Sequence, residues 1–230
     1  RIKSGITLTV ATGGSLIMNS TTYINDSGII VNSGTITNSG IIRVKLPSGI
    51  LTNDGTFNNN SNSKLINEKT INCLENSNIE NKNEFVNSGT FSNYGSFTNA
   101  VIGTDSSLIT NTGTFSNIVN GLDSGVFNNN GKIMNQSTLT NNAKMYSTGY
   151  IKNFANSTIS NTNTFDNNAN SDLYNIGTIS NTSTGVFSNS GIITNDSTFL
   201  LVGDYINYKT GNLLNRANIE VTNKFYNYGT

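Results

Sequence analysis

Along almost the whole chain an apolar residue, any residue and an asparagine recur as a triplet about every six positions. Ile36-Thr37-Asn38, Phe91-Ser92-Asn93, Phe115-Ser116-Asn117 and Ile193-Thr194-Asn195 are examples. A repeat this short cannot enclose a core of its own, so it has to bury its apolar residue against the next copy. The asparagines run Asn81, Asn87, Asn93 and Asn99, then Asn111, Asn117, Asn129, Asn135 and Asn141. Past Ser147 they continue at Asn153, Asn161, Asn167, Asn175, Asn181, Asn189 and Asn195. Most steps are six residues, some are eight and a few are twelve. Extra residues that leave the later rhythm intact belong in the corners of a stacked structure, outside its walls.

Alternate side chains of an extended strand face opposite ways. In Gly34-Thr35-Ile36-Thr37-Asn38-Ser39, Ile36 then points inward, flanked by Gly34 and Asn38, while Thr35 and Thr37 face solvent. Glycine ahead of the apolar residue suits a tight corner because it takes positive φ without steric penalty. Asparagine tolerates the same region, and its amide can bond along a stack of identical amides. Asn, Gly, Ser and Thr are poor helix formers, and the spacing does not fit a 3.6-residue face. The fold class read here is all-β, a single-stranded β-solenoid continuous over residues 1–230 and part of a longer repeat protein. Residues 1–18 form an opening strand region and 64–84 an irregular charged coil. The expected interior column is Ile36, Phe91, Phe97, Phe115, Ile133, Leu139, Ile159, Phe165, Ile179, Phe187, Ile193 and Phe225. The expected asparagine ladder is Asn38, Asn93, Asn99, Asn117, Asn135, Asn141, Asn161, Asn181, Asn189, Asn195 and Asn227.

Three short walls give coils of about 18–20 residues, and two walls give about 12–14. The spacing of the eight-residue steps that end at Asn161, Asn175, Asn189 and Asn215 favours two walls. Against this, Lys132 and Lys144 lie twelve apart and would then stack as a like-charge pair. Two walls also leave little room for phenylalanine to face phenylalanine. Three walls are therefore expected, with roughly ten to twelve coils at ~4.8 Å each.

Hydrophobic residues make up 34% of the 230 residues and charged ones 11%. That is lean for a compact globule but sufficient for a solenoid, which needs one inward apolar residue per short wall. Thirteen basic and thirteen acidic residues, with no overall bias toward either sign, argue against a nucleic-acid surface. No apolar run approaches the ~18 residues of a membrane span. Cys73 is the single cysteine, so no disulfide can close within the chain; it reads as a small, half-buried residue beside a beat at Asn72. Pro47 marks a corner or loop. Seven Asn-x-Ser/Thr triplets, at Asn19, Asn25, Asn59, Asn135, Asn156, Asn181 and Asn195, are what this composition produces by chance.

The absence of histidine excludes Ser-His-Asp and Cys-His catalysis and histidine-ligated zinc. Thr12-Gly13-Gly14-Ser15 lacks the lysine of a phosphate loop. Asp26, Asp54, Asp105, Asp123, Asp172, Asp196 and Asp204 mostly sit in turn-like contexts. Arg1, Arg43 and Arg216 are scattered, without the carboxylate and arginine cluster of a polysaccharide-cleaving β-helix. No catalytic, cofactor or metal residue is assigned. The charges Lys64, Glu68, Lys69, Glu75, Glu80, Lys82 and Glu84 read as a solvated face with cross-strand ion pairs; the alternative is a contact patch where the wall bulges.

Outward pairs at Thr35-x-Thr37, Thr90-x-Ser92, Thr114-x-Ser116, Thr138-x-Thr140 and Thr178-x-Ser180 resemble the arrays of solenoidal ice-binding proteins. Lys152, Asp166, Tyr174 and Glu220 are expected to interrupt such a face. The runs Ser33 to Ile42 and Thr184 to Asn195, with the alternating opening Gly5-Ile6-Thr7-Leu8-Thr9-Val10, resemble the β-helical stalks of large secreted adhesins. Those are the filamentous-haemagglutinin-like and autotransporter passenger proteins, and repeats of viral surface fibres are similar. The resemblance implies a non-enzymatic, extracellular structural or adhesive spacer on a cell or virion surface. Its partners would be other copies stacked end to end, or a host-surface glycan or protein. A carbohydrate-binding or carbohydrate-degrading β-helix and an ice-binding solenoid are the alternatives.

Overall fold

The computed structural model describes residues 1–102, 105–120 and 123–230. The strands Thr7–Val10, Ser15–Met18 and Tyr23–Asp26 start three different sheets, and the fourth strand, Ile29–Asn32, returns to pair in parallel with the first. Repetition of this circuit builds three parallel walls. The first has 11 strands and ends at Asn218–Val221; the second has 11 and ends at Phe225–Asn227; the third has 10 and ends at Asn212–Asn215. This is a single-stranded β-solenoid with three walls per coil, and the two-walled alternative is excluded. Lys132 lies on the third wall and Lys144 on the second, so no like-charge stack arises.

Nearly every long-sheet strand has four residues with alternating burial, its second and fourth side chains inside. Ile36, Phe91, Ile133 and Ile179 are fully buried at the second position, and Asn38, Asn93, Asn135 and Asn181 at the fourth. The apolar chains of the three walls meet on the axis. Phe85, Phe91 and Phe97, one from each wall, have ring centroids 5.1 to 5.9 Å apart. Phe115 and Phe127 extend the column, 4.6 Å above Phe91 and 5.3 Å above Phe97.

Coil length varies only at the corners. Asn161 and Asn181 are 20 residues apart, Asn81 and Asn99 18, Asn93 and Asn117 24. The eight-residue steps insert a four-residue turn, closed by bonds such as Ser157 N–H to Phe154 O (3.1 Å) and Gly185 N–H to Thr182 O (2.8 Å). These turns occur at all three corners, which is why their spacing misled as a measure of wall number. The two twelve-residue steps hold small antiparallel hairpins, Val101–Ile102 with Asp105–Ser106 and Val119–Asn120 with Asp123–Ser124. The side chains of Asp105 and Asp123, expected to stabilise turns, lie outside the described residues.

Residues 64–84 are regular. Lys64–Asn67, Thr70–Cys73, Asn78–Asn81 and Glu84–Asn87 take their places in successive walls without a bulge in register. Lys64 pairs with its cross-strand neighbour Glu84 at 2.8 Å, Lys82 with Glu80 at 2.7 Å, and Glu68 with Arg43 of the preceding coil. Pro47 sits in the corner between Ile41–Val44 and Ile50–Asn53.

The corner glycines have a different cause from the one expected. Positive φ among the described glycines is confined to Gly5 and Gly13; the left-handed asparagines are the corner residues Asn62, Asn156 and Asn170, not the ladder asparagines. Glycine is needed where one corner rests on the corner below. A Cβ on Gly113 would lie 2.2 Å from Gly89 O and 2.7 Å from Ser88 C. Where a short corner does carry a Cβ, the axial bond lengthens. Thr138 N–H reaches Gly113 O at 3.4 Å beside Ser137, whereas Thr114 N–H reaches Gly89 O at 2.9 Å beside Gly113. Gly113→Ala is expected to cost about 1–3 kcal/mol of stability by forcing the same separation. A urea midpoint equal to that of the native chain would show that the corner has slack.

Candidate functional site

The side-chain chemistry of this chain is organised in lines parallel to the axis, three inside and six outside. Inside, each wall stacks its fourth-position residues into an asparagine ladder with one direction. The Nδ2 amide of each donates to Oδ1 of the asparagine one coil further on. On the first wall Asn93, Asn117, Asn141, Asn161 and Asn181 are joined at 2.7 to 2.9 Å. On the second wall the series is Asn38, Asn59, Asn81, Asn99 and Asn129. On the third it runs unbroken from Asn67 through Asn87, Asn111, Asn135, Asn153, Asn175 and Asn195 to Asn215. The second amide hydrogen turns to a backbone carbonyl across the corner, as in Asn111 to Thr138 O (2.9 Å) and Asn117 to Lys144 O (2.8 Å). One buried amide thereby ties adjacent coils and closes a corner. Only asparagine has an acceptor and two donors on so short a stem.

The expected interior residues are all placed inside, with two exceptions at the last coil. Phe225 stacks on Tyr205 at 5.0 Å but remains 38% exposed, and Asn227, although bonded from Asn207 at 2.7 Å, is exposed. Both lie in the last strand of the second wall. Several ladder members were missed. Cys73 occupies a ladder position in register with Asn53 and Asn93, fully buried, while Asn72 beside it faces outward. Burial pushes its thiol well above the ordinary cysteine range. Val10 and Met18 also hold fourth positions. Asp26 does so as well; burial raises its carboxyl despite the Gly28 N–H bond at 2.9 Å. Of the Asn-x-Ser/Thr triplets, Asn59, Asn135, Asn181 and Asn195 are fully buried in ladders.

The gaps leave marks. Asn93 Oδ1 and Asn167 Oδ1 are buried without a hydrogen-bond partner, and the residues beneath them are Cys73 and Ser147. Cys73→Asn restores a donor under Asn93, and its own Oδ1 comes within reach of Asn53 Nδ2. A gain of about 1–2 kcal/mol in unfolding free energy is expected, the cost of an unsatisfied buried acceptor. A variant no more stable than the native chain would show that the site lacks room for the amide.

Outside, the walls differ. The first carries threonine at the leading position of every strand from Thr70 through Thr90, Thr114, Thr138, Thr158 and Thr178 to Thr198. Beside this column runs a second of Asn72, Ser92, Ser116, Thr140, Ser160, Ser180 and Leu200. The residues expected to interrupt this array mostly lie elsewhere. Asp166 is on the second wall and Lys152 and Tyr174 are on the third; Glu220 alone shares the first wall, in the strand beyond Thr198. Thr35 and Thr37, conversely, belong to the second wall. The third wall gathers charge and aromatic rings. Lys152 Nζ lies 4.6 Å from the Phe154 ring centroid and 5.4 Å from that of Tyr174, whose hydroxyl donates to Asp196 at 2.9 Å. Arg43 and Arg216 belong to distant coils of this side, paired with Glu68 and Asp196. At the corner between the first and second walls, Asp54, Asn72, Leu74, Glu75, Asn76 and Tyr94 line an open groove.

These features define a three-walled parallel β-solenoid with axial asparagine ladders. Comparison with protein-family models, with curated proteins and with solved structures returned no match.

Proposed function

We propose that the chain is a non-enzymatic structural β-solenoid, an extracellular stalk or fibre element of a cell or virion that holds a binding surface at a distance. The observation that carries this reading is the axial ladder system. Three lines of buried amides and three parallel hydrogen-bonded walls all bond along one direction, coil to coil. Such a structure is a rod on the order of 50 Å long, about ten coils at ~4.8 Å. Each coil contacts only its neighbours, so rod length can change by whole coils without disturbing the cross-section. Its partners under this reading are further copies of the chain, or a surface glycan or protein.

Immunogold labelling of intact cells or particles of the source organism tests the reading. Label on the outer surface, on projections, is expected; label confined to the interior of permeabilised samples would overturn it. Turnover of any plant, bacterial or algal polysaccharide by the purified chain would overturn its non-enzymatic part.

A further inference from the structure

We propose that the first wall, from the strand Thr70–Cys73 to the strand Thr198–Leu201, binds the surface of ice. The inference goes beyond the stalk reading and does not depend on it. Seven strands in parallel register repeat the same outward groups ~4.8 Å apart along the axis and ~6.6 Å apart across the strand. The unbroken threonine column thus extends over ~29 Å. Both repeats are close to oxygen–oxygen repeats on low-index faces of hexagonal ice. The amide ladder from Asn93 to Asn181 runs along the inner side of these same strands, and side-chain ladders of this kind hold a sheet against its natural twist.

Three further observations select the occupant. Among the described residues, no outward threonine or serine hydroxyl of this stretch is hydrogen-bonded within the chain, so each is free to hold a water molecule. No charged side chain stands at its outward strand positions, whereas the same coils place Lys144 and Asp166 on the second wall and Lys132, Lys152 and Asp172 on the third. A charged group keeps a strongly oriented hydration shell that ice cannot match, so its absence suits an electroneutral lattice. Finally, the array has no outward aromatic ring, which disfavours a sugar held by stacking. Threonine supplies the methyl as well as the hydroxyl, an apolar and a polar contact at each lattice point.

Slow growth of polycrystalline ice from a dilute solution of the full chain tests the proposal. The chain is expected to enter the ice, while an inert protein of similar size stays in the liquid. Thr114→Lys combined with Thr158→Lys is expected to lower incorporation roughly tenfold. Thr138→Tyr, a bulky neutral ring in the array, is expected to act in the same direction. Thr194→Lys, on the third wall, is expected to leave incorporation unchanged, with circular dichroism confirming the β-structure of every variant. Native chain remaining in the liquid, or Thr194→Lys acting as strongly as the first-wall variants, would overturn the proposal. Retention on microcrystalline cellulose or chitin without entry into ice would overturn it in favour of a polysaccharide occupant.

Discussion

Phe115→Ala is expected to lower the unfolding free energy by about 3–5 kcal/mol, the range for deleting a fully buried ring. Phe115 is 1% exposed and stands where the aromatic column is densest, 4.6 Å from Phe91, 4.9 Å from Phe127 and 5.8 Å from Phe97 between ring centroids. Its walls cannot collapse into the vacated space, because each is pinned to the coils above and below by backbone and amide ladders. The cavity therefore persists, which is the costly case. Because coils contact only their neighbours, damage at mid-rod should also uncouple the two ends. A broadened or divided urea transition, followed by circular dichroism, is the expected signature. Thr114→Ala, one residue away and facing out, should shift the midpoint by no more than about 0.5 kcal/mol equivalent. Equal effects from the two substitutions would mean that the ring does not sit in the interior.

Asn117→Asp tests the polar half of the core. Asn117 accepts from Asn93 at 2.9 Å and donates to Asn141 Oδ1 and Lys144 O, both at 2.8 Å. A carboxylate keeps the first bond but sets acceptor against acceptor at the other two. A loss on the order of 3–5 kcal/mol at neutral pH is expected. Its pH dependence has a definite sign. Burial raises the folded pKa of the introduced carboxyl above its unfolded value of about 3.9. Below that value both states are protonated and the penalty is smallest, since a carboxyl O–H can donate to Asn141. As pH rises past the unfolded pKa, the unfolded chain releases its proton first and the penalty grows, levelling off above the folded pKa. The difference in unfolding free energy between native and variant chains, measured across acid to neutral pH, should follow that curve. A difference that shrinks toward neutral pH would contradict the buried ladder.

Much of this architecture is legible in the residues. The six-residue beat identifies which side chains face inward, because a four-residue strand and a two-residue corner leave few other arrangements for an apolar residue followed two later by asparagine. Strand identity, the β-solenoid class and the asparagine ladder follow from that alone. Wall membership does not. Steps of eight and twelve residues look alike whichever corner holds them, so Lys152 and Tyr174 could not be separated from Thr138 and Thr140 until pairing was known. The ladder position filled by Cys73 was hidden as well. It is recognisable only by register, since a cysteine at the fourth position carries no amide signature. The corner glycines could be located but not explained. What they avoid is a carbonyl one coil away, a contact invisible in local sequence.

Exchange of asparagine side-chain amide hydrogens, followed by NMR after transfer into deuterated water, tests the buried ladders most directly. Both Nδ2 hydrogens of interior asparagines such as Asn111, Asn117 and Asn161 should survive far longer than those of the exposed Asn19 and Asn76, and Asn117→Asp should shorten the lifetimes of its ladder neighbours. Uniform exchange of all asparagine side chains at the rate of a free amide would contradict the three-ladder interior and the rod built on it.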